Sequence, residues 1–515
     1  MSQALLAAAY EALRSGRMED AGRLCRAVLA LDPQSASFQA NLGLTLKKTG
    51  HLTAAAALCR RALVLAPAQA QIHNNLGSAW QEAGMVEEAA GCYRTSIALA
   101  PGSAGPYFNL GSLLRDQGRL DQAPASFRRA LWIEPGHPDL HGGLAALEQY
   151  RDRLAAAIPG YRRAVALQPE RADFYNNLGN GLLQDGQIAP AELAYRRALA
   201  LVPEHADACF NLSLVFLLTG RLREGWPGYE QRWRTRQLSH EQRDFSQPLW
   251  RGQADAGRTL LLHGEQGFGD NLQFCRYAPL AQAKGLRIVL EVPAPLRRLL
   301  DGLAGCDLVV AKGGPLPPFD FHCPLLSLPL MLGTESLADI PAPIPYILPD
   351  SATTALWAER IGARSGERPR VGLAWAGAPR SDSPAQAAFD RRRSLPPAAL
   401  ARILAMPGIS FFSLQKGSVA GPGLIDFMAD MADFADTAAF IANLDLVISV
   451  DTAVAHLAGA MGKPVWLLNR FDTDWRWLTE REDTPWYPTM RIFRQRLRGD
   501  WDGVIDDVAR ALAAW

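Results

Sequence analysis

The first part of the chain repeats one pattern of apolar and turn-forming residues every 34 residues. In each repeat an apolar helical stripe contains a leucine, a turn residue stands eight positions later, and a proline ends the unit. The leucines are Leu42, Leu76, Leu110, Leu144, Leu178 and Leu212; the turn residues are Gly50, Gly84, Gly118, Asp152, Gly186 and Gly220; the prolines are Pro33, Pro67, Pro101, Pro135, Pro169 and Pro203. The pattern predicts two helices per repeat, the first ended by the turn residue and the second stopped by the proline.

A helix–turn–helix unit of 34 residues with this framework resembles the tetratricopeptide repeat (TPR). The framework holds without slippage through six units, from about residue 2 to 203, and a further helix is predicted at about 205–219. We therefore expect residues 1–222 to form an α-superhelix, a TPR solenoid.

One column of the repeat is not explained by helix packing. It precedes the framework leucine and is asparagine in five repeats, with Gly143 in the remaining one. The five are Asn41, Asn75, Asn109, Asn177 and Asn211. This column lies beside the packed stripe, so its amides are expected to line the concave groove and bind the backbone of an extended peptide. The alternative is that asparagine is simply tolerated at a solvated helix position.

The asparagine column sharpens the resemblance. It is similar to the row of asparagines, called the asparagine ladder, at this TPR position in the eukaryotic protein O-linked N-acetylglucosamine transferases. These enzymes join a TPR superhelix to a glycosyltransferase. In that family the ladder holds the substrate polypeptide. The resemblance implies a protein or peptide acceptor in the groove of this chain.

The helical pattern ends after the repeats. Residues 223–257 are predicted to form an aromatic cap and a polar linker. Short apolar strands then alternate with glycine- and proline-rich loops and helices, which is typical of an α/β fold. The predicted strands are 259–262, 287–292, 308–311, 319–322, 371–375, 410–414, 446–449 and 464–468. We expect lobes at 258–345 and 346–515, a linker near 341–349, and a last helix, 501–515, that crosses back over the first lobe.

Candidate ligand-binding residues follow several of these strands. The first strand leads through Gly267 and Gly269 to Asp270 and a predicted helix at 271–284. In the second lobe, Lys416 follows one strand, and the run Asp451-Thr452-Ala453…His456 follows another and opens a helix. In doubly wound sheets, ligands bind at the carboxyl ends of strands, and a helix start binds anions.

These motifs resemble the bacterial heptosyltransferase family (glycosyltransferase family 9), whose members add ADP-heptose units to lipopolysaccharide. The resemblance rests on Gly269-Asp270, on the run ending in Lys416, and on Asp451-Thr452…His456. Residues 412–417 and 474–477 are typical of TPR-fused members. It covers about residues 258–515 and implies a GT-B fold of two Rossmann-like lobes. Ala453 departs from the glycine that the family usually has.

The resemblance implies roles for these residues. Asp270 is the predicted base that takes a proton from the acceptor hydroxyl; the alternative is an ordinary helix-capping aspartate. The predicted nucleotide-sugar-binding set is Gly267, Gly269, Lys416, Asp451, Thr452, Ala453 and His456. Alternatively, Lys416 is a solvated strand-end lysine and His456 a buried residue that holds its loop. Arg393, Ser394, Asn469 and Arg470 are candidate ligand contacts.

Composition narrows the function classes. The net charge of +1 gives no long-range attraction to nucleic acid or acidic membranes. Seven cysteines without close pairs indicate free thiols in a reducing compartment. No transmembrane segment or signal sequence is predicted, so we expect a soluble, cytoplasmic protein. No cofactor is expected, only a nucleotide-sugar substrate (ADP-heptose or a UDP-sugar). An inverting, metal-independent reaction follows from the GT-B resemblance.

Three functions remain open at this stage. The favoured one is sugar transfer to a hydroxyl on a protein held by the TPR groove. The second is transfer to lipopolysaccharide or another saccharide, with the TPR region docking a partner. The third is a TPR scaffold with a degenerate, non-catalytic transferase domain, which the departure at Ala453 favours.

Overall fold

The structure is a computed structural model. It describes residues 5, 8, 11–12, 15, 17–31, 33–48, 51–235, 237–377, 384–417 and 422–515. The chain forms two compact units that divide between Asn177 and Leu178, with Pro384 and Ala385 grouped with the first. The second unit therefore contains the end of the repeat region together with the α/β region, apart from Pro384 and Ala385.

The first unit is a series of paired antiparallel helices. Their bounds are α1 (Met18–Leu31), α2 (Ala36–Lys48), α3 (Leu52–Leu65), α4 (Ala70–Glu82), α5 (Val86–Leu99), α6 (Ala104–Asp116), α7 (Ala123–Ile133), α8 (Pro138–Tyr150), α9 (Leu154–Leu167) and the first part of α10 (Ala172–Gln184). The framework prolines follow the second helix of each pair, as predicted. Gly50 lies outside the described residues.

The turn and packing positions behave as the repeat pattern predicts. Gly84 and Gly118 have φ of +77° and +71°, and Asp152 adopts the same left-handed region at +59°. The small residue after the framework leucine lets paired helices approach closely, because a Cβ on Gly77 would lie 2.8 Å from the Tyr93 ring. Asp152 stands at this turn position in place of the glycine of the other repeats. Aspartate tolerates the left-handed conformation better than most residues, so this repeat keeps the same turn.

The second unit opens with the remaining repeat helices and continues into two parallel sheets. The helices are α11 (Ile188–Leu201), α12 (Ala206–Leu218) and α13 (Leu222–Tyr229). The first lobe contains β1 (Thr259–His263), α14 (Phe268–Phe274), α15 (Ala278–Gln282), β2 (Arg287–Val292), α16 (Ala294–Leu300), β3 (Leu308–Ala311), β4 (Phe321–Pro324) and α17 (Leu328–Met331). Its strand order is β3-β2-β1-β4, all parallel.

The second lobe has a larger sheet. It contains α18 (Ser351–Ser365), β5 (Arg370–Ala374), α19 (Pro384–Arg393), α20 (Pro397–Leu404), β6 (Ser410–Ser413), β7 (Leu424–Ile425), α21 (Phe434–Ala442), β8 (Leu446–Val450), α22 (Ala453–Ala460), β9 (Val465–Asn469), β10 (Met490–Arg494) and α23 (Trp501–Ala513). The order is β10-β9-β8-β5-β6-β7, again all parallel. The predicted sequence of a TPR solenoid followed by an α/β region is confirmed.

Local boundaries differ from the predictions in three places. The helix predicted at 271–284 is split into α14, a 3-10 turn at Cys275–Tyr277 and α15, because Pro279 at the start of α15 cannot donate a helical hydrogen bond. Strand β4 lies two residues later than predicted, and β7 and β10 were not predicted. The segment near 341–349 has no regular secondary structure, as expected for a linker.

The last helix requires a correction. The sequence prediction has it crossing over the first lobe, but its apolar face packs on the second sheet. The buried side chains Trp501, Ile505 and Val508 share a core with residues of β5, β6 and β8. Arg402 on α20 pairs with Asp502 and Asp506 of the same helix, at 2.6 Å for Asp506. The helix therefore belongs wholly to the second lobe.

The segment predicted as cap and linker is built into the α/β region. Trp226 and Tyr229 of α13 are buried in one hydrophobic core with β1, α14 and α22. Leu249 forms a bridge with His322 of β4, and Trp250 is fully buried. The residues around these positions are polar, so the sequence pattern predicts a linker. In the structure the segment lies against the first sheet.

Candidate functional site

The predicted motifs lie where each sheet reverses its strand order. In the first sheet the reversal is between β1 and β4, and the turn carrying Gly267 and Gly269 follows β1. In the second sheet it is between β5 and β8, and Asp451 follows β8 directly. Ligands of parallel α/β sheets bind at the carboxyl ends of the strands at such points. Topology thus places both motifs at the expected ligand-binding ends.

A glycine brings the two motifs together. A Cβ on Gly269 would lie 2.7 Å from Cδ2 of His456, closer than any side chain tolerates. Without that Cβ, the first turn of α14 packs against the first turn of α22. The part of the first lobe that carries Asp270 therefore contacts the part of the second lobe that carries Asp451 and Thr452.

Asp270 is held at both carboxylate oxygens. Its Oδ2 accepts a hydrogen bond from the Gly267 backbone amide at 2.8 Å, and its Oδ1 accepts one from Arg476. Its side chain keeps 18% of its surface exposed. Burial raises the pKa of this carboxyl group, and the Arg476 charge opposes that rise. Asp270 thus combines a capping contact with a partly open carboxylate of raised pKa, which suits a general base.

Arg476 is the main site residue that the sequence analysis missed. It donates to Asp474 Oδ1 at 2.9 Å and to Gln273 Oε1 at 2.7 Å, in addition to Asp270. Burial disfavours its charge, but the carboxylates of Asp474 and Asp270 raise the pKa of the guanidinium above its ordinary value. The only sequence signal was its place between two tryptophans in the 474–477 motif.

The start of α22 is a short, half-buried turn. Thr452 occupies the capping position, and its Oγ1 lies 3.0 Å from Ser449 Oγ. Burial, followed by the charge of Asp474, raises the pKa of Asp451. Replacement of the family's glycine by Ala453 leaves the backbone amides at this helix start in place. Those amides provide partial positive charge for an anion.

His456 is buried and neutral. Its Nδ1 lies 2.9 Å from the Tyr487 hydroxyl, and its ring packs against Trp477 at a centroid distance of 5.2 Å. Burial lowers the pKa of His456 to about 3, with a further contribution from Arg476. The geometry therefore gives His456 the packing role that the sequence analysis held open as its alternative, and also places it between the lobes at Gly269.

Arginines surround the carboxyl ends of β8 and β9. Arg393 donates to the Asp451 carbonyl at 3.3 Å. Arg470 lies over the Phe389 ring at 3.9 Å and pairs with Asp472 at 3.3 Å. Asp472 also pairs with Arg392 at 2.9 Å. Arg393 also pairs with Asp390 at 2.8 Å. The structure thus brings Arg393 and Arg470, each paired with a carboxylate, next to the Asp451 turn.

The other predicted contacts are placed less closely. Lys416 lies at the carboxyl end of β6 with an exposed side chain, and in the described part of the chain no hydrogen bond or ion pair connects it to Asp270 or Asp451. Ser394 follows α19 and is half-buried. Asn469 ends β9, donates to Thr473 Oγ1 at 2.6 Å, and has a buried Oδ1 that lacks a hydrogen-bond partner among the described residues.

The asparagine column is partly engaged within the repeats. Asn75 is buried and accepts from Gln71 at 2.9 Å, whereas Asn109 is half-buried and donates to Asn74 Oδ1 of the preceding repeat at 2.9 Å. The remaining members, Asn41, Asn177 and Asn211, are half-buried. Their role in holding a peptide stays a prediction.

Helical repeats followed by two parallel sheets, with charged side chains at the strand ends, define a TPR protein carrying an α/β region. A model of the tetratricopeptide repeat matches residues 6–70, 74–139 and 176–236. A model described as glycosyltransferase family 9 (heptosyltransferase) matches residues 428–469. The chain is thus a TPR protein whose second half contains a segment related to glycosyltransferase family 9. That segment includes Asp451, Thr452 and His456 but not Asp270 or Arg476.

Individual proteins are also similar to parts of this chain. Protein FlbA of Caulobacter vibrioides is 28% identical over 335 residues, which are 58% of this chain and 54% of that protein. The chain thus spans about half the length of this curated relative. Among solved structures, pilF of Pseudomonas aeruginosa is 20% identical over 40% of this chain and 94% of that one, with a TM-score of 0.35. A thermophilic TPR protein of Thermus thermophilus is 23% identical over 35% and 99%, with a TM-score of 0.33.

No helix in the described part of the chain has the length and apolar character needed to cross a membrane.

Proposed function

We propose that the chain is a GT-B glycosyltransferase that moves a sugar from a nucleotide-diphosphate donor to a hydroxyl group. One observation carries the proposal: the first turns of α14 and α22 are in contact through Gly269 and His456. This contact puts a carboxylate of raised pKa in the first lobe near a helix start in the second. A transferase needs both, a base for the acceptor and a positive site for the leaving diphosphate.

In the proposed reaction, the bond between the anomeric carbon and the diphosphate oxygen breaks, and its electron pair leaves with the diphosphate. The acceptor oxygen forms the new bond to the anomeric carbon, and its proton passes to Asp270. The amides at the start of α22 and the Thr452 hydroxyl bind the leaving group, with Arg393 and Arg470 supplying positive charge. Attack opposite the leaving group would invert the anomeric centre, as the family resemblance implies.

Metal independence is part of the proposal. Asp472 and Asp474 have the Asp-x-Asp spacing that another glycosyltransferase fold uses for a metal ion. Here Asp472 is ion-paired with Arg392 and Arg470, and Asp474 with Arg476. Carboxylates neutralised by arginines are poor metal ligands, so we assign the diphosphate charge to side chains and helix ends instead.

The proposed acceptor is a protein or peptide bound in the TPR groove. The TPR region and the asparagine column support this choice. The family 9 match favours a saccharide acceptor as a second candidate, with the TPR region docking a partner. Both candidates use the same donor site, and the donor follows from resemblance: UDP-N-acetylglucosamine from the domain pairing, ADP-heptose from the family.

Substitution of Asp270 tests the enzymatic part of the proposal. With UDP-N-acetylglucosamine and ADP-heptose as donors, wild-type protein should release nucleoside diphosphate, faster with a peptide or oligosaccharide acceptor. Asp270→Asn should lower kcat by about 100- to 10,000-fold, the usual contribution of a general base. Calorimetric binding of UDP or ADP should be nearly unchanged in the variant.

Asp339→Asn is a matched control. Asp339 caps a 3-10 turn in the first lobe by accepting from the Ser336 amide at 2.8 Å, as Asp270 accepts from Gly267. The control should keep normal turnover, because it removes a capping carboxylate but leaves the proposed base Asp270 in place. Normal turnover by Asp270→Asn would remove the base assignment. Absence of nucleotide binding by wild-type protein would favour a non-catalytic scaffold.

A further inference from the structure

Arg476 joins the two lobes at the site. Two of its hydrogen-bond acceptors, Asp270 and Gln273, belong to α14 in the first lobe, and the third, Asp474, belongs to its own loop in the second. Asp270 and Gln273 are three residues apart and so occupy adjacent positions on one helix face. Contacts to both fix the rotation of α14 about its axis relative to the loop that carries Arg476 and Asp474.

The guanidinium is itself held rigidly. Arg476 is 7% exposed, and its charged group lies 4.3 Å from the centre of the Trp475 ring. Trp475 in turn packs edge-on against Trp226 of α13 and Trp486, with centroid distances of 5.5 and 6.0 Å. The arginine therefore presents its planar donors to Asp270 from a fixed position.

We propose that Arg476 is a positioning residue of the transfer site: it orients the Asp270 carboxylate toward the start of α22 and keeps that carboxylate ionised. This inference rests on the proposed function. Arg476 donates to Oδ1 of Asp270 while the Gly267 amide donates to Oδ2, so the carboxylate plane is fixed from two sides. Lysine cannot replace this arrangement, because its single ammonium lacks the planar fork that reaches Asp270, Gln273 and Asp474 together.

The test compares Arg476→Gln and Arg476→Lys in the full-length chain. The assay measures nucleoside diphosphate release from UDP-N-acetylglucosamine and from ADP-heptose as a function of pH. Arg476→Gln should lower kcat by about 100-fold, the effect of a displaced catalytic group. Its acid limb should also move to higher pH, because loss of the neighbouring positive charge makes Asp270 easier to protonate. Arg476→Lys should lower kcat by about 10-fold while leaving the acid limb near its wild-type position.

Arg298→Gln is the matched control, because it removes an ion pair between the lobes without changing the surroundings of Asp270. Arg298 on α16 pairs with Asp433 and Asp436 of the second lobe at 2.7 and 2.6 Å, and has no contact with Asp270. This variant should keep both the rate and the pH profile. Thermal unfolding of each variant checks that the fold is intact. If Arg476→Gln does not fold, Arg476→Lys carries the test, and unchanged kcat in that variant overturns the inference.

The outcomes separate this inference from the proposed function. Loss of rate in Arg476→Gln with an unmoved acid limb would reduce Arg476 to a structural role. Wild-type protein that releases no nucleoside diphosphate from either donor would overturn the proposed function, and the inference with it. Wild-type activity combined with a shifted acid limb in Arg476→Gln and not in Arg298→Gln would support both.

Discussion

Burial keeps the His456 imidazole neutral, and this has a consequence for stability. In the unfolded chain the group takes a proton near its ordinary pKa of 6.5, whereas its pKa in the folded protein is about 3. Between these values the unfolded state binds more protons, so stability falls as the pH is lowered. His456 alone should therefore reduce the free energy of unfolding by about 2 kcal/mol between pH 7 and pH 5.

Urea unfolding at both pH values measures this effect. His456→Gln keeps a polar group beside Tyr487 but cannot titrate, so its loss of stability between pH 7 and pH 5 should be about 2 kcal/mol smaller than that of wild type. His240→Gln, at an exposed position, is the control and should behave as wild type. An equal pH dependence in His456→Gln and wild type would show that His456 is protonated in the folded protein.

Residue identities alone could indicate part of the site. Asp270, Asp451, Thr452 and His456 are predicted because each stands in a motif after a predicted strand, and their roles stay predictions. Arg476 was not found, because its partners Asp270 and Gln273 are 206 and 203 positions away along the chain. Lys416 is predicted at the diphosphate from its position after β6, and this role stays a prediction; the arginines next to Asp451 are Arg393 of α19 and Arg470, which follows β9.

At the scale of elements, the contact of α14 with α22 depends on one missing side chain. A Cβ on Gly269 would meet the buried His456 ring, which is held by Tyr487 and Trp477 and has no room to withdraw. Gly269→Ala should therefore force the two helices apart. We expect a loss of about 1–3 kcal/mol in the free energy of unfolding, the usual cost of overpacking, together with a lower rate of sugar transfer.

A helical glycine with free space around it provides the comparison. Gly362 lies within α18, and a Cβ there would meet nothing within 4 Å. Gly362→Ala should stabilise the protein by about 0.5–1 kcal/mol through helix propensity, without change in rate. Denaturant unfolding and the nucleotide-release assay measure both variants. A Gly269→Ala protein as stable and active as wild type would contradict the close contact between α14 and α22.

Elements with strong periodicity were predicted well, and those defined by tertiary contacts were not. The repeat helices and strands such as β2 and β3 follow from apolar spacing and turn residues. The packing of α23 could not be predicted, because an amphipathic helix of this length fits either lobe. The structure selects the second lobe through the apolar contacts of Trp501, Ile505 and Val508 and the Arg402 ion pairs.

At the scale of the whole molecule, the end of the repeat region shares a core with the α/β region. Arg232, fully buried just after α13, makes a bidentate ion pair with Glu265 at 2.9 and 2.8 Å. Glu265 lies in the turn that carries Asp270. Tyr229 accepts from Gln266 of the same turn at 3.2 Å, and Trp226 packs on Trp475 beside Arg476. A boundary at residue 222, natural from the repeat pattern, would cut into this core.

The residue at which the chain is truncated therefore decides whether the remaining fragment folds and can be assayed. A fragment of residues 172–515 keeps α10 to α13 and the complete core of the second unit, so it should fold and release nucleoside diphosphate at a rate near that of the full chain. A fragment of residues 223–515 lacks Leu217 and Leu218, which are buried in that core. Loss of each such side chain costs about 2–5 kcal/mol, so this shorter fragment should be unfolded or insoluble.

The longer fragment then distinguishes the two acceptors. It lacks Asn41, Asn75 and Asn109, so a protein acceptor held by these amides should no longer be labelled, while a small saccharide acceptor should be used as before. Labelled donor offered with a peptide mixture and with a lipopolysaccharide core oligosaccharide measures both reactions. Equal labelling of peptides by the fragment and the full chain would contradict the acceptor role of the groove. A folded fragment 223–515 would contradict the shared core, because it would mean that the α/β region does not need α12 for stability.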